Sequence, residues 1–268
     1  MGHENYTLIT GASGGIGLEF AKVFAAHGHP LILVARSGDK LRQIEEEIEK
    51  KYQVQTEILL KDLSKPSAAK ELFEEVQLKG WDVEVLVNNA GFGLYGFFAD
   101  EKWDEESEMI QLNITTLTEL TKLFLGPMRQ RKKGRILNVA STAAFQPGPL
   151  MSIYYATKAY VLSFSDALAN ELKGTGVSLS CLCPGPTVSD FQKRARINME
   201  IPLFKASGVM TAEAVAKAGY AGMMKGKAVI VPGLTNKLTP LGARLLPRTW
   251  ITAIVRWLQE TMKSHSTL

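Results

Sequence analysis

Ser141, Tyr154 and Lys158 are the residues of this sequence best suited to moving a proton onto an oxygen. Tyr154 and Lys158 stand four apart in a stretch with helical periodicity, so they share one face. A tyrosine hydroxyl, with a reference pKa of about 10, is a weak acid at neutral pH, and a neighbouring ammonium lowers that value by stabilising phenolate. Tyr154 therefore reads as a proton donor, with Ser141 hydrogen-bonding and orienting a carbonyl oxygen and Lys158 tuning the tyrosine. The reaction this suits is carbonyl reduction, with hydride supplied by a nicotinamide whose ribose Lys158 also reaches. Tyr and Lys at this spacing also arise by chance, so the surrounding chain has to support the reading.

Support comes from residues Thr7 to Phe20. A strand-type run ends at Thr10, a turn holds Gly11, Gly15 and Gly17, and apolar residues then recur at Ile16, Phe20, Val23 and Phe24 with helical spacing. Gly11 permits the tight turn, Gly15 lets backbone approach an anion, and Gly17 lets the helix pack on the strand. The free N–H groups of the helix start suit a pyrophosphate. The same residues also match the Gly-x-Ser-x-Gly elbow of hydrolases through Gly11, Ser13 and Gly15. That elbow has no upstream strand to supply a second oxyanion donor, and only His265 follows at a distance.

The order of elements tells where the ends of strands lie. Runs at Leu31–Ala35, 54–60, 83–87, 135–140, 177–183 and 228–231 read as strands, and helices are expected near 41–48, 66–79, 103–131, 152–173 and 211–225. Strands alternating with helices imply right-handed crossovers and a doubly wound α/β sheet of seven mainly parallel strands, with helices on both faces. Ligands bind at the carboxyl ends of such strands. Strand two ends in Arg36, with no carboxylate there to hold a ribose 2′-OH, which favours a 2′-phosphate and hence NADP(H). Strand three is followed by Asp62 and Leu63, where Asp62 either accepts from an adenine amino group or belongs to a helix start. Strand four ends in Asn88-Asn89-Ala90-Gly91, and Asn113 sits inside a helix where it needs a hydrogen-bonding reason to be.

These motifs, in this order from Thr7 to about Ser189, resemble the short-chain dehydrogenase/reductase family: Thr10-Gly-x-x-x-Gly-Ile-Gly17, Asn88-Asn-Ala-Gly91, Asn113, Ser141, Tyr154-x-x-x-Lys158 and Pro184-Gly185. The resemblance implies a single Rossmann-type domain over residues 1–268 that binds NADP(H) and interconverts a ketone, aldehyde or 3-oxoacyl group with the alcohol. It implies catalytic roles for Asn113, Ser141, Tyr154 and Lys158, with Asn113 holding a water that links Lys158 to solvent. Cofactor contacts are implied for Gly11, Ser13, Gly15, Ile16, Gly17, Arg36, Asp62, Leu63, Asn88, Ala90, Gly91, Tyr154, Lys158, Pro184, Gly185 and Thr187, with Ser189 a second candidate beside Thr187. Tyr155 falls outside the Tyr–Lys spacing and is assigned to packing. A cofactor-binding sensor without catalysis is the alternative, and such proteins usually lose the Tyr or the Lys.

Composition adds mainly exclusions. A chain of 268 residues, 46% hydrophobic and 22% charged, is an ordinary globular mixture, and a net charge of +4 gives no reason to invoke nucleic acid. Cys181 and Cys183 alternate in an apolar run and read as core thiols, and the four histidines are scattered, so no metal is expected. No basic-then-apolar leader or apolar run of about 18 residues is seen, so a cytoplasmic location is expected. Aromatic and aliphatic residues in the loops at the strand ends, among them Phe92, Tyr95, Phe97 and Phe191, suggest a lipophilic carbonyl substrate. The family resemblance implies pairing through the two long helices, about 103–131 and 152–173, to give a homodimer. From about 239 to 263 an apolar stripe at helical spacing forms a C-terminal extension, expected to cover the edge of strand seven, with a partner subunit or an anionic membrane as the other occupants.

Overall fold

The structure, a computed structural model, describes residues 5–188, 191, 195 and 209–263. Seven parallel strands form the central sheet: β1 (Asn5–Thr10), β2 (Leu31–Ala35), β3 (Thr56–Leu60), β4 (Asp82–Asn88), β5 (Gly134–Val139), β6 (Val177–Leu182) and, beyond a small pair β7 (Thr187–Val188) and β8 (Met210–Thr211), β9 (Val229–Ile230). Their order is β3-β2-β1-β4-β5-β6-β9. The strand order reverses between β1 and β4, and the register there runs Thr7 opposite Leu31 on one side and Ile9 opposite Val87 on the other. A doubly wound sheet opens its ligand crevice at that reversal.

Alternation along the strands builds two cores. Tyr6, Leu8, Ile32, Val34 and Leu86 face one side of the sheet, and Ile9, Leu31, Leu33, Val85 and Val87 face the other. Because both faces are buried, β2 reads as an unbroken apolar run. Helices α1 (Gly15–Ala26), α2 (Gly38–Tyr52) and α7 (Ala212–Met224) cover the second side through residues such as Phe20, Phe24, Leu41, Ile48 and Met223. On the first lie α3 (Ala68–Leu78), α5 (Leu117–Arg131) and α6 (Ser152–Glu171), contributing among others Leu72, Phe124 and Leu168. Cys181 and Cys183 are buried free thiols with sulfurs 3.8 Å apart.

Two expectations need correction. The helix expected across 103–131 is α4 (Trp103–Ile110) and α5 joined by a widened π turn at Gln111–Thr116, which holds Asn113. The C-terminal extension consists of α8 (Leu238–Leu245) and α9 (Arg248–Lys263), and α9 is anchored over the mouth of the ligand crevice rather than along the edge at β9. The Tyr95 hydroxyl donates to the Gln259 carbonyl at 2.6 Å, and Gln259 Nε2 donates to the Tyr155 hydroxyl at 2.9 Å. Ile251 and Val255 are buried on that inner face. The apolar stripe indicated a covered surface, but periodicity alone says nothing of which surface is covered.

Candidate active site

A cleft of about 830 Å³ runs along the carboxyl ends of the strands, from the glycine turn past Arg36 and Asp62 to Ser141, Tyr154 and Lys158. At its first end Gly11 has φ +68°, a backbone region that suits glycine. A Cβ on Gly17 would lie 2.2 Å from the Gly11 carbonyl oxygen and 2.6 Å from Asn89 Nδ2, so the helix start can sit against the strand end only without a side chain. Gly17→Ala is therefore expected to destabilise the fold by about 3 kcal/mol, measured as a lower midpoint in urea. An unchanged midpoint would mean that the turn yields at little cost.

The start of α1 has no side-chain cap and no acid in its first turn, so its N–H groups and positive dipole end face the cleft without a competing anion from the helix itself. The adjoining loop is tied down by two residues of the quoted motifs to which no role had been assigned. Thr10 Oγ1 accepts from the amides of Asn89 and Ala90, both at 3.0 Å, while Asn89 Nδ2 donates to the Thr10 carbonyl at 2.9 Å. Asn88 departs from expectation: it does not line the cleft. It is buried in the core, where its Nδ2 donates to Thr121 Oγ1 at 3.0 Å and Asn138 Oδ1 at 2.9 Å, and Asn138 in turn donates to Ser165. The alternation of a strand explains this, because Asn88 and Asn89 point to opposite faces.

Farther along, Arg36 is exposed at the end of β2 and Lys40 joins it from α2, both lining the cleft. Lys40 was not foreseen, although it lies four residues beyond Arg36. Asp39, the nearest acid in the sequence, pairs with Arg42 at 2.7 Å. Asp62 and Leu63 line the same stretch. Burial pushes the Asp62 carboxyl up, but bonds from the Ser64 hydroxyl and amide, aided by the charge of Arg36, hold it below its ordinary value. The first turn of α3 begins later, at Ala68, so Asp62 is not its cap.

Tyr154, Lys158 and Ser141 converge at the other end. Lys158 Nζ donates to the Val139 carbonyl at 2.9 Å and lies 5.8 Å from the centre of the Tyr154 ring. Ser141 Oγ accepts from the Ala143 amide at 3.1 Å. Burial pushes the Tyr154 hydroxyl well above its ordinary value, and a hydrogen bond with Ser141 opposes that. The expected lowering by Lys158 is therefore not what the geometry gives: desolvation dominates, and the group that opposes it is Ser141 rather than the lysine. Burial likewise lowers Lys158, to about 8. Asn113 Oδ1 accepts from the Phe92 amide at 3.2 Å, and Nδ2 donates to the Phe92 carbonyl at 2.9 Å and to Thr157 Oγ1 at 3.1 Å. A Cβ on Gly91 would meet both Asn113 Oδ1, at 3.0 Å, and Lys158 Nζ, at 3.5 Å, so the two groups flank one spot beside the cleft.

Ser13, Gly15, Ile16, Ala90, Gly91, Pro184, Gly185 and Thr187 also line the cleft. Thr187 Oγ1 donates to the Gly185 carbonyl at 2.9 Å, whereas Ser189 lies outside the described residues. The elbow reading of Ser13 finds no partner among the described histidines, since His27 bonds the Val23 carbonyl and His29 faces Thr7; His265 lies outside the described residues. The substrate end is apolar, with the Phe191 ring 5.3 Å from that of Tyr154 and Met151, Val255 and Leu258 nearby. Tyr155 is more than packing, because it lines the cleft and bonds Gln259. No motif marked Gln259; only its place on the stripe-bearing tail helix could have drawn notice.

Comparison with known proteins agrees with this layout. Residues 5–200 match the short chain dehydrogenase family. A human very-long-chain 3-oxoacyl-CoA reductase is 33% identical over 189 residues, 68% of this chain and 59% of the relative. A mouse 17-beta-hydroxysteroid dehydrogenase type 3 is 37% identical over 182 residues, covering 67% of this chain and 59% of the relative. The matched segments thus span less than two thirds of those curated proteins. A short-chain dehydrogenase from Sphingobium yanoikuyae, solved in complex with NADPH, superposes with a TM-score of 0.81 at 32% identity over 90% of this chain and 93% of that one. The chain belongs to the short-chain dehydrogenase/reductase family.

Proposed function

We propose that this protein reduces a lipophilic ketone or 3-oxoacyl compound to the alcohol with NADPH. The observation that carries the reading is the convergence of Ser141, Tyr154 and Lys158 at the apolar end of the cleft whose other end is the uncapped start of α1. The groove fits a dinucleotide phosphate: the backbone of Gly14 and Gly15 lines it at the uncapped start of α1, and Arg36 and Lys40 offer charge for a 2′-phosphate. NADPH supplies the hydride when bound. The residues of the chain do the rest. Ser141 holds the substrate oxygen, Tyr154 gives it a proton, and Lys158 keeps positive charge beside the tyrosine. Asn113 positions the loop at Phe92, and its Oδ1 and Lys158 Nζ flank Gly91, which supports a role for Asn113 in relaying protons to Lys158.

The substrates in the relatives' names, a very-long-chain 3-oxoacyl-CoA and a 17-beta-hydroxysteroid, support the choice of lipophilic carbonyl and alcohol compounds. The decisive experiment follows NADPH consumption with a panel of 3-oxoacyl thioesters, ketosteroids and bulky ketones. Tight NADPH binding with no turnover of any of them would favour the sensor alternative. For the cofactor itself, Arg36→Ala is expected to weaken NADPH binding by about 1.5–3 kcal/mol, roughly tenfold or more, and NADH binding little. Equal losses for the two, read by fluorescence titration, would remove Arg36 from phosphate recognition. Our proposed homodimer pairs through the outer faces of α5 and α6, where the Thr118 and Tyr160 hydroxyls bond at 3.1 Å and Tyr160 stacks on Phe164.

A further inference from the structure

Helix α9 has two apolar faces. Ile251, Val255 and Leu258 recur at i, i+4 and i+7 and turn inward, with Val255 and Leu258 on the cleft; Trp250, Ile254 and Trp257 repeat the spacing one residue earlier and turn outward. Trp250 is 64% and Trp257 61% exposed. The preceding helix α8 buries none of its residues, and its Leu238, Leu241 and Leu245 are exposed as well, Leu245 at 73%. Arg256 lies over the Phe97 ring at 5.2 Å, which ties α9 to the loop that follows β4. A monomeric soluble protein rarely leaves so many large side chains together in water.

The charges on this surface decide its occupant. Between Leu234 and Gln259 the chain carries Lys237, Arg244, Arg248 and Arg256 and no acid at all; Arg256 is neutralised by Glu260 at 2.6 Å, and Lys237, Arg244 and Arg248 are exposed. A second copy packed here about a two-fold axis would set the same cations against one another, because such an interface is self-complementary. An anionic bilayer meets both needs. Leucines enter the acyl boundary, tryptophans lie at headgroup depth, and arginine and lysine stems reach up to phosphates. Among the described residues no helix is long and apolar enough to cross a membrane, which fits a pair of helices lying in the interface.

We infer that α8 and the outer face of α9 dock this protein on an anionic membrane surface, so that the helix roofing the substrate end of the cleft is also the one in contact with lipid. Substrates dissolved in the bilayer would then enter beside Leu258 and Gln259 without crossing water. Docking stands apart from the proposed reaction, since it needs no turnover.

The test is flotation of the full chain with vesicles of phosphatidylcholine, with and without phosphatidylglycerol, at low and high salt. The expected result is binding to the anionic vesicles, weakened by salt and reduced about tenfold or more in Trp250→Glu/Trp257→Glu. That variant must keep its circular dichroism spectrum and NADPH affinity. Arg244→Gln/Arg248→Gln, two exposed positions whose change leaves the apolar surface intact, is expected to lose the preference for phosphatidylglycerol. Failure of the wild-type chain to float with anionic vesicles at low salt overturns the inference, as does equal flotation of all three proteins. Self-association by light scattering that disappears in the tryptophan variant, without vesicle binding, would assign the surface to a second copy instead.

Discussion

Tyr154→Phe is expected to lower kcat/KM for carbonyl reduction by about 10²–10⁴-fold, the range a positioned general acid contributes, while NADPH affinity stays within about twofold. The substitution removes one hydroxyl from a ring that is buried and packed on Phe191 and Met151, so the aromatic body keeps its place and little else changes. In the proposed reaction this hydroxyl protonates the substrate oxygen, and burial, which pushes its pKa up, keeps it in the acid form. Ser141 still orients the carbonyl in the variant, which is why binding of substrate is expected to suffer less than turnover. Stopped-flow hydride transfer at saturating NADPH separates the two. A rate within tenfold of wild type would assign proton donation to another group, with Ser141 the first to test.

Most of the cleft lining was legible because the residues proposed to carry its chemistry stand at fixed spacings. Glycines at 11, 15 and 17 demand a tight strand-to-helix turn whatever the ligand, and Tyr154 and Lys158 must share a face once α6 forms. The sheet followed from unbroken apolar runs alternating with amphipathic helices. What the sequence left open are properties of three-dimensional surroundings. Asn88 and Asn89 are adjacent amides, and only the phase of β4 decides that one enters the core and the other braces the turn. The balance at Tyr154 depends on how much water the packed cleft excludes, which the four-residue spacing does not contain. The stripe on α9 was visible, but a helix with apolar residues on two faces satisfies more than one docking, and the bond that Gln259 accepts from Tyr95 and the one it donates to Tyr155 select the cleft mouth.

Lys158 gives the second large effect and a pH signature that identifies it. Burial lowers its pKa to about 8, so the ammonium is charged below that pH and neutral above it. Positive charge beside Tyr154 favours loss of the tyrosine proton to the substrate oxygen, hence kcat/KM for reduction is expected to fall as pH rises through about 8. Tyr154 does not produce that limb, because its own value is displaced upward and it remains an acid over the range. Lys158→Ala is expected to cost about 10²–10³-fold in kcat/KM at neutral pH and to flatten the profile, since the titrating charge is gone. Some of the loss should appear as weaker NADPH binding, given the position of Nζ by Val139 and Gly91 at the cleft wall. Lys158→Arg separates charge from placement: guanidinium stays charged throughout, so its profile should lack the fall near pH 8 even if the absolute rate is lower. A wild-type profile flat from about pH 6 to about 9.5, or a fall that persists in Lys158→Ala, would detach the limb from this lysine.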